Sequence, residues 1–269
     1  MVDDLLGSAA VVFGGAHGIG KATARLLAER GARVLVADLD AEAGVRTCDE
    51  IGPRATFVAL DVTDERAVAD AVGRDVLGAP LRIVVHSIYT DRKAPVETLA
   101  RANWQHVVDT ILGSAYIVTR AAVPALRANG GGSVTFISSI QALLGFPHEP
   151  AYAAAKAGLC GLSHQVAVEY GGDGVRANCV LPSFILTERE RARFVDDPDR
   201  LSRMADAFPL RRIGTAEDVA EAVAFLASAR ASFITGVDLL VDGGFSLQPA
   251  THHLGRSPAP VSNLDQPGV

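Results

Sequence analysis

Ala9-Ala10-Val11-Val12-Phe13-Gly14-Gly15-Ala16-His17-Gly18-Ile19-Gly20 is the stretch on which the fold turns. Its five leading apolar residues read as a buried strand and its glycines as a sharp turn. The run from Ile19 to Arg30, with Ala22, Leu26 and Leu27 on one face, reads as a helix. Glycines let the backbone approach a ligand closely. The helix that follows points free N–H groups and its positive dipole end at that ligand. A pyrophosphate suits such a site, and Gly14, Ala16, His17, Gly18, Ile19 and Gly20 are its candidate cofactor contacts.

Outward from this unit the pattern repeats. Strands are predicted at Arg33 to Ala37, Ala55 to Leu60, Ile83 to Val85, Ser133 to Ile137, Arg176 to Leu181 and Asp238 to Val241. Helices are predicted between them at Asp40 to Ile51, Asp64 to Leu77, Trp104 to Arg127 and Tyr152 to Gly171. A last helix, capped by Thr215, runs to about Ser228. About seven apolar strands separated by helices predict an α/β fold, a doubly wound (Rossmann) parallel sheet with helices on both faces. No linker divides the chain, so residues 1–248 are expected to form one domain. Pro249, Pro258, Pro260 and Pro267 mark an irregular tail over 249–269.

Composition narrows the function. Of 269 residues 49% are hydrophobic, enough for a large core. Lys and Arg number 25 against 31 Asp and Glu, a net charge of −6 with no basic run, which argues against nucleic-acid and anionic-membrane partners. The acidic start, Met1-Val2-Asp3-Asp4, and the lack of an apolar stretch near ~20 residues argue against a secretory signal and a membrane span. Cys48, Cys160 and Cys179 lie far apart, are odd in number and form no CxxC. They suit a reducing cytoplasm and argue against a thiolate zinc site, so no metal is expected.

Two further features point to a dinucleotide. Asp38 ends the second strand, 18 residues after Gly20, where a carboxylate accepts both ribose hydroxyls of an adenosine and repels a 2′-phosphate. This favours NAD over NADP. Capping of the next helix, by Asp38 or Asp40, is the other role open to it. His17 is the only side chain in the turn able to carry positive charge, and imidazole is mostly neutral at pH 7. Asp61, in Asp61-Val62, either bonds the adenine edge or caps the helix starting near Asp64.

The chemistry resides in three residues. Tyr152 and Lys156 stand four apart on one helix face, and Ser138 and Ser139 end the preceding strand at the carboxyl edge of the sheet. A nearby ammonium and a cationic nicotinamide ring favour the phenolate. Tyr152 is then expected to take a proton from an alcohol as hydride leaves its carbon, Ser139 to hold the substrate oxygen, and Lys156 to bond the nicotinamide ribose.

From Leu6 to about Gln248 the sequence resembles the short-chain dehydrogenase/reductase family. The resemblance rests on the glycine turn, Asp61-Val62, Ser139, Tyr152-Ala153-Ala154-Ala155-Lys156 and Pro182 to Thr187. It rests also on Arg212-Ile213-Gly214-Thr215-Ala216-Glu217-Asp218-Val219, Phe233-Ile234-Thr235-Gly236 and Val241-Asp242-Gly243-Gly244. It implies that Ser139, not Ser138, is catalytic with Tyr152 and Lys156. It also implies that the backbone near Ile185 and the Thr187 hydroxyl hold the nicotinamide amide. Leu39, Val62, Ser87 and Pro182 join the cofactor contacts on the same basis. A homotetramer is implied too, with the Trp104 and Tyr152 helices and the last strand at its interfaces.

The chain departs from the family at four places. Phe13 replaces a Thr, His86-Ser87-Ile88-Tyr89 replaces Asn-Asn-Ala-Gly, Ile111 replaces a proton-relay Asn, and Ser183 replaces a Gly. With Ile111 in place of the relay Asn, either a slower reaction or a substitute water held by Ser114 or His86 is expected.

Three segments, Tyr89 to Pro95, Gln141 to Pro150 and the charged lid from Phe184 to Pro209, are expected around the substrate. Tyr89, His148 and Glu149 are its candidate contacts. The reading is a cytoplasmic NAD-dependent dehydrogenase for a secondary alcohol or ketone, polyhydroxylated or cyclic. The alternatives are a 3-oxoacyl-type carbonyl reductase and a catalytically weak NAD-binding regulatory protein.

Overall fold

The computed structural model describes residues 4–73, 78–192 and 198–247. Seven parallel strands form one sheet: β1 (Ala9–Phe13), β2 (Arg33–Asp38), β3 (Ala55–Ala59), β4 (Leu81–His86), β5 (Gly132–Ile137), β6 (Val175–Pro182) and β7 (Asp238–Val241). Their spatial order is β3-β2-β1-β4-β5-β6-β7. The chain reverses its direction of travel across the sheet between β1 and β4, and a crevice opens there at the carboxyl ends of the strands. The strands are those predicted, to within two residues at each end.

Period-two alternation splits the strands between two cores. Val11, Phe13, Leu35, Ala37 and Val84 face one layer, and Ala10, Val12, Val34, Val36, Ile83 and Val85 face the other. The second layer is closed by α1 (Gly18–Glu29) and α9 (Ala216–Ala227) through Ala24, Leu27, Val219 and Val223. On the opposite face, α3 (Glu65–Gly73), α4 (Arg101–Val108), α5 (Ser114–Ala128) and α6 (Pro150–Tyr170) bury Val68, Val107, Val118, Leu126, Leu159 and Val166. Each such buried Val or Leu contributes about 1.5–3 kcal/mol of transfer free energy. The helix α2 (Ala41–Ile51) packs against β3 at the edge, where Phe57 occupies the space beside Gly44.

Local signals set the helix ends. Thr215 and Asp218 form a reciprocal capping box at the start of α9, with Asp218 N donating to Thr215 Oγ1 and Thr215 N to Asp218 Oδ2. Arg212 donates to both Asp218 oxygens and holds that carboxyl down at about 2. Pro150 occupies the first turn of α6, where its missing N–H costs nothing.

The single helix predicted over 104–127 is instead α4 and α5 joined by a π-helical turn, Asp109–Gly113. Ser114 Oγ donates to the Thr110 carbonyl at 2.5 Å and fills the widened turn. The charged lid carries two short helices, α7 (Glu188–Ala192) and α8 (Pro198–Ala205), which periodicity alone did not mark. The end of the predicted Asp64 to Leu77 helix and the 249–269 tail lie outside the described residues. No helix among the described residues is long and apolar enough to cross a membrane.

Candidate active site

The glycine turn between β1 and α1 is built around backbone contacts that exclude any side chain. A Cβ on Gly20 would stand 1.9 Å from the Gly14 carbonyl oxygen, and one on Gly14 would stand 2.4 Å from that of Ser87. Gly14 and Gly18 have φ of +76° and +49°, a region open to glycine at no steric cost. His17, the N-cap of α1, makes no side-chain capping bond, and no acidic residue lies in the first turn. The positive end of α1 therefore opens into the crevice without a protein anion upon it. Ala16 is buried, and its N–H is bound by Asp38. Thr187 leans over the same turn, its methyl 3.1 Å from where a Cβ on Gly18 would stand.

Asp38 ends β2 beside this turn. Its Oδ2 accepts from Ala16 N at 3.0 Å and its Oδ1 from Asp40 N at 3.1 Å. Capping of α2 falls to Asp40, which accepts from Ala43 N at 3.0 Å. Asp40 also holds the His17 ring at 3.0 Å, so the turn's one imidazole faces a carboxylate. Leu39 between them is exposed. Asp61 does not cap the next helix either. Asp64 accepts from Arg66 N and Ala67 N, while Asp61 binds the Thr63 hydroxyl and N–H. Val62 buries its side chain in the core, which removes that side chain from the crevice.

Across the crevice, Ser139, Tyr152 and Lys156 converge. Ser139 Oγ accepts from Gln141 N at 3.1 Å, which fixes the hydroxyl while leaving its proton to donate. Ser138 is turned away, donating to the Lys156 carbonyl at 2.8 Å. Lys156 Nζ donates to the carbonyls of Ile137 at 2.7 Å and Ile88 at 3.1 Å and lies 5.5 Å from the Tyr152 ring centroid.

The electrostatics correct the sequence expectation. Burial pushes the Tyr152 phenol up, and the Ser139 hydrogen bond pulls it only partly back. Lys156 is itself fully enclosed, and burial pushes it down to about 7, so it holds a full positive charge only below neutrality. Burial thus weakens the ammonium expected to acidify the phenol, while two backbone carbonyls position it.

A consequence for stability follows. Between about 7 and the free-lysine value of 10.5, the unfolded chain holds the Lys156 proton that the folded chain has lost. The unfolded state then binds more protons, and stability rises with pH through that window. Urea midpoints at pH 7 and pH 9 should therefore rise more in the wild type than in Lys156→Met. Equal slopes would show that the folded lysine keeps its proton.

Behind this group, His86 ends β4. It is completely buried, and burial with the nearby Lys156 pushes its ring down to about 3. His86 Nε2 lies 2.8 Å from Ser114 Oγ. That hydroxyl already donates to Thr110 O, so the ring nitrogen donates and the neutral Nε2–H tautomer follows. His86 Nδ1 has no partner among the described residues. His86 and Ser114, the expected holders of a relay water, are bonded to each other. Ile111, in the π turn, is fully buried in the core cluster with Val107 and Ala155. Phe13 is fully buried in that cluster too.

On the open side, Tyr89 lies edge-on to Tyr152, with centroids 5.7 Å apart, and Arg189 of the lid stacks 4.5 Å from its ring centroid. Tyr89 donates to Asp91 Oδ2 at 2.7 Å, and burial and that bond push its phenol up to about 12. Glu149 is held by Lys93 and by Gln141 Nε2, which leaves it neutralised. His148 is exposed with φ of 67°, and its carbonyl accepts from Ala94 N. Pro182 closes β6. Past it, Ile185 bridges to Gly214, and Thr187 Oγ1 accepts from Glu190 N at 3.4 Å. Lys93, Gln141 and Arg189 come one from each of the three segments expected around the substrate, although none was among the named candidate contacts, because no spacing within one segment marks them.

Cys160 and Cys179, 19 residues apart in sequence, meet where α6 packs on β6.

Residues 14–246 match the family model described as enoyl-(acyl carrier protein) reductase. The chain is 39% identical over 241 residues to cis-4-hydroxycyclohexanecarboxylate dehydrogenase of Sinomonas cyclohexanicum, spanning 88% of this chain and 96% of that one. It is 36% identical over 249 residues to a 3-oxoacyl-[acyl-carrier-protein] reductase of Chlamydia muridarum, spanning 90% and 98%. A solved structure described as a short-chain dehydrogenase/reductase family protein superposes with a TM-score of 0.81 at 36% identity, over 90% of this chain and 99% of that one. The doubly wound sheet and these matches define an oxidoreductase. The chain belongs to the short-chain dehydrogenase/reductase family, whose members bind a nicotinamide dinucleotide, NAD or NADP.

Proposed function

We propose that this protein is an NAD-dependent dehydrogenase that oxidises a secondary alcohol, cyclic or polyhydroxylated, to the ketone. The observation that carries the reading is the meeting of Ser139, Tyr152 and Lys156 across the crevice from an uncapped helix N-terminus. The glycine cradle, closed to any Cβ, and the open end of α1 fit a pyrophosphate, and Asp38 fits an adenosine ribose. When bound, the nicotinamide ring supplies a hydride acceptor.

The chain's own residues do the rest. Ser139 Oγ donates to the substrate oxygen and fixes the carbinol. Tyr152 Oη takes the hydroxyl proton, and in the reverse direction returns it to a carbonyl. Lys156, poised near neutrality, orients a ribose and passes the phenol's proton onward. The backbone near Ile185 and the Thr187 hydroxyl would hold the nicotinamide amide. Tyr89 and Glu149, with its Lys93 and Gln141 partners, form the polar wall that receives ring hydroxyls.

Asp38 favours NAD because a 2′-phosphate would meet a carboxylate. The cyclic substrate class rests on the cyclohexanecarboxylate-dehydrogenase relative. A homotetramer in the cytoplasm completes the reading. Trp104 on α4, Tyr116 on α5 and Val168 on α6 are exposed on the helices assigned to its interfaces, and all three cysteines are free.

A 3-oxoacyl reductase is the second reading, favoured by the Chlamydia muridarum relative. A screen of cyclic alcohols and polyols with NAD and NADP, followed by absorbance of the reduced cofactor, separates the two. Reduction of NAD by a cyclic secondary alcohol is expected. Turnover confined to NADPH with an oxoacyl thioester would replace the first reading by the second. Dinucleotide binding without any turnover would leave a regulatory protein.

A further inference from the structure

One cluster of ligand-bearing side chains lies outside the crevice and takes no part in the reaction above. Cys160 comes from α6, Cys179 from β6 and Asp238 from the start of β7. Their two sulfurs and one carboxylate oxygen all lie within 4.8 Å of one another. Cys179 is fully buried and Cys160 nearly so. Asp238 Oδ2 takes His164 Nε2 at 3.1 Å, but Asp238 Oδ1 is buried without a hydrogen-bond partner among the described residues. His164 lies one helical turn after Cys160, so both project from the same face of α6.

A buried carboxylate oxygen with no donor is costly, and two thiols beside it do not neutralise its charge. A cation would satisfy it. Two sulfur donors select a thiolate-preferring ion over magnesium or calcium. The dimensions agree. A tetrahedral site with metal–sulfur bonds near 2.3 Å and metal–oxygen bonds near 2.0 Å needs S···S of about 3.8 Å and S···O of about 3.5 Å. From an outer limit of 4.8 Å, the ligands close by no more than about 1.3 Å. In the single chain the His164 and Asp238 side chains are 49% and 25% exposed and provide the way in, before subunits assemble over α6 and β7.

We propose that Cys160, Cys179 and Asp238 form a site for one divalent cation of the zinc class, with His164 orienting the carboxylate and water in the fourth position. On loading, two S–H bonds break, two metal–sulfur bonds form, and both protons leave to the buffer. The ion would tie α6 to β6 and β7 directly behind Lys156, whose carbonyl accepts from Cys160 Sγ at 3.8 Å and Ser138 Oγ at 2.8 Å. Loading removes the first of these donors and leaves the second.

The test is titration of the reduced, chelator-treated full chain with Co²⁺, followed in the visible and near-ultraviolet. One equivalent should give tetrahedral ligand-field bands and a thiolate-to-cobalt charge-transfer band, both abolished by Zn²⁺. Cys160→Ser should about halve the charge-transfer band and weaken binding at least ~10-fold, and His164→Ala should weaken it about 10–100-fold. Cys48→Ser should change neither. Cys179 is enclosed, so if Cys179→Ser fails to fold, Asp238→Asn, nearly equal in shape, serves as the second variant, with circular dichroism confirming its fold. No charge-transfer band with excess Co²⁺, or one whose intensity and Co²⁺ affinity are both unchanged in Cys160→Ser and in Asp238→Asn, would overturn the site.

Discussion

Tyr152→Phe is expected to lower kcat by about 10²–10⁴-fold, the range for loss of a positioned general acid–base group. The dinucleotide Kd should stay within about threefold, under 1 kcal/mol. The split follows from what the substitution removes. The ring keeps its edge contact with Tyr89 and its place beside Lys156, and the glycine turn and Asp38 lie across the crevice. Only the oxygen that meets Ser139 is lost. In the wild type, burial holds the phenol protonated, so at neutral pH it is ready to donate to a carbonyl. To accept a proton from an alcohol it needs the positive charge of an oxidised nicotinamide nearby. Single-turnover rates in both directions, with nucleotide binding followed by fluorescence, check this. Unchanged turnover would move the proton chemistry to another group.

Asp38→Asn tests cofactor choice with little change of shape. The amide oxygen can still accept from Ala16 N, so the turn keeps that brace, while the bond from Asp40 N is given up. The charge is lost as well. Hydrogen bonds to a charged group are worth about 1.5–3 kcal/mol, so NAD binding should weaken roughly 10–100-fold. NADP binding should strengthen, because its 2′-phosphate no longer faces a carboxylate. The ratio of the two Kd values, measured by calorimetry, is the readout. A wild type that already prefers NADP would remove Asp38 from this role.

Much of the fold was legible because its signals are local. The continuous apolar runs of β1 and β2, the glycines of the turn, and the Thr215-to-Asp218 cap each lie within a few residues of one another. The π turn was not legible. It depends on how Ser114 and Ile111 settle against the sheet, and an apolar helical period continues through it unchanged. The lid helices were hidden because each is short and set in a densely charged segment, although Leu201, Met204 and Ala205 share one face of α8.

The candidate site divides in the same way. The sequence by itself determined which residue types stand at the carboxyl ends of the strands. Tyr152 and Lys156 share a helix face, and Asp38 ends the strand after the glycine turn. Only the tertiary structure decided their electrical state and their partners. Asp40 rather than Asp38 caps α2, Lys93 pairs with Glu149 while Gln141 donates to it, and Cys160 reaches Cys179 and Asp238. It also turned the expected acidic phenol into a buried, protonated one beside a lysine near neutrality. Periodicity is set by a short window of chain. Desolvation and charge pairing are set by groups that come from distant segments, and the chain brings those together only when it folds.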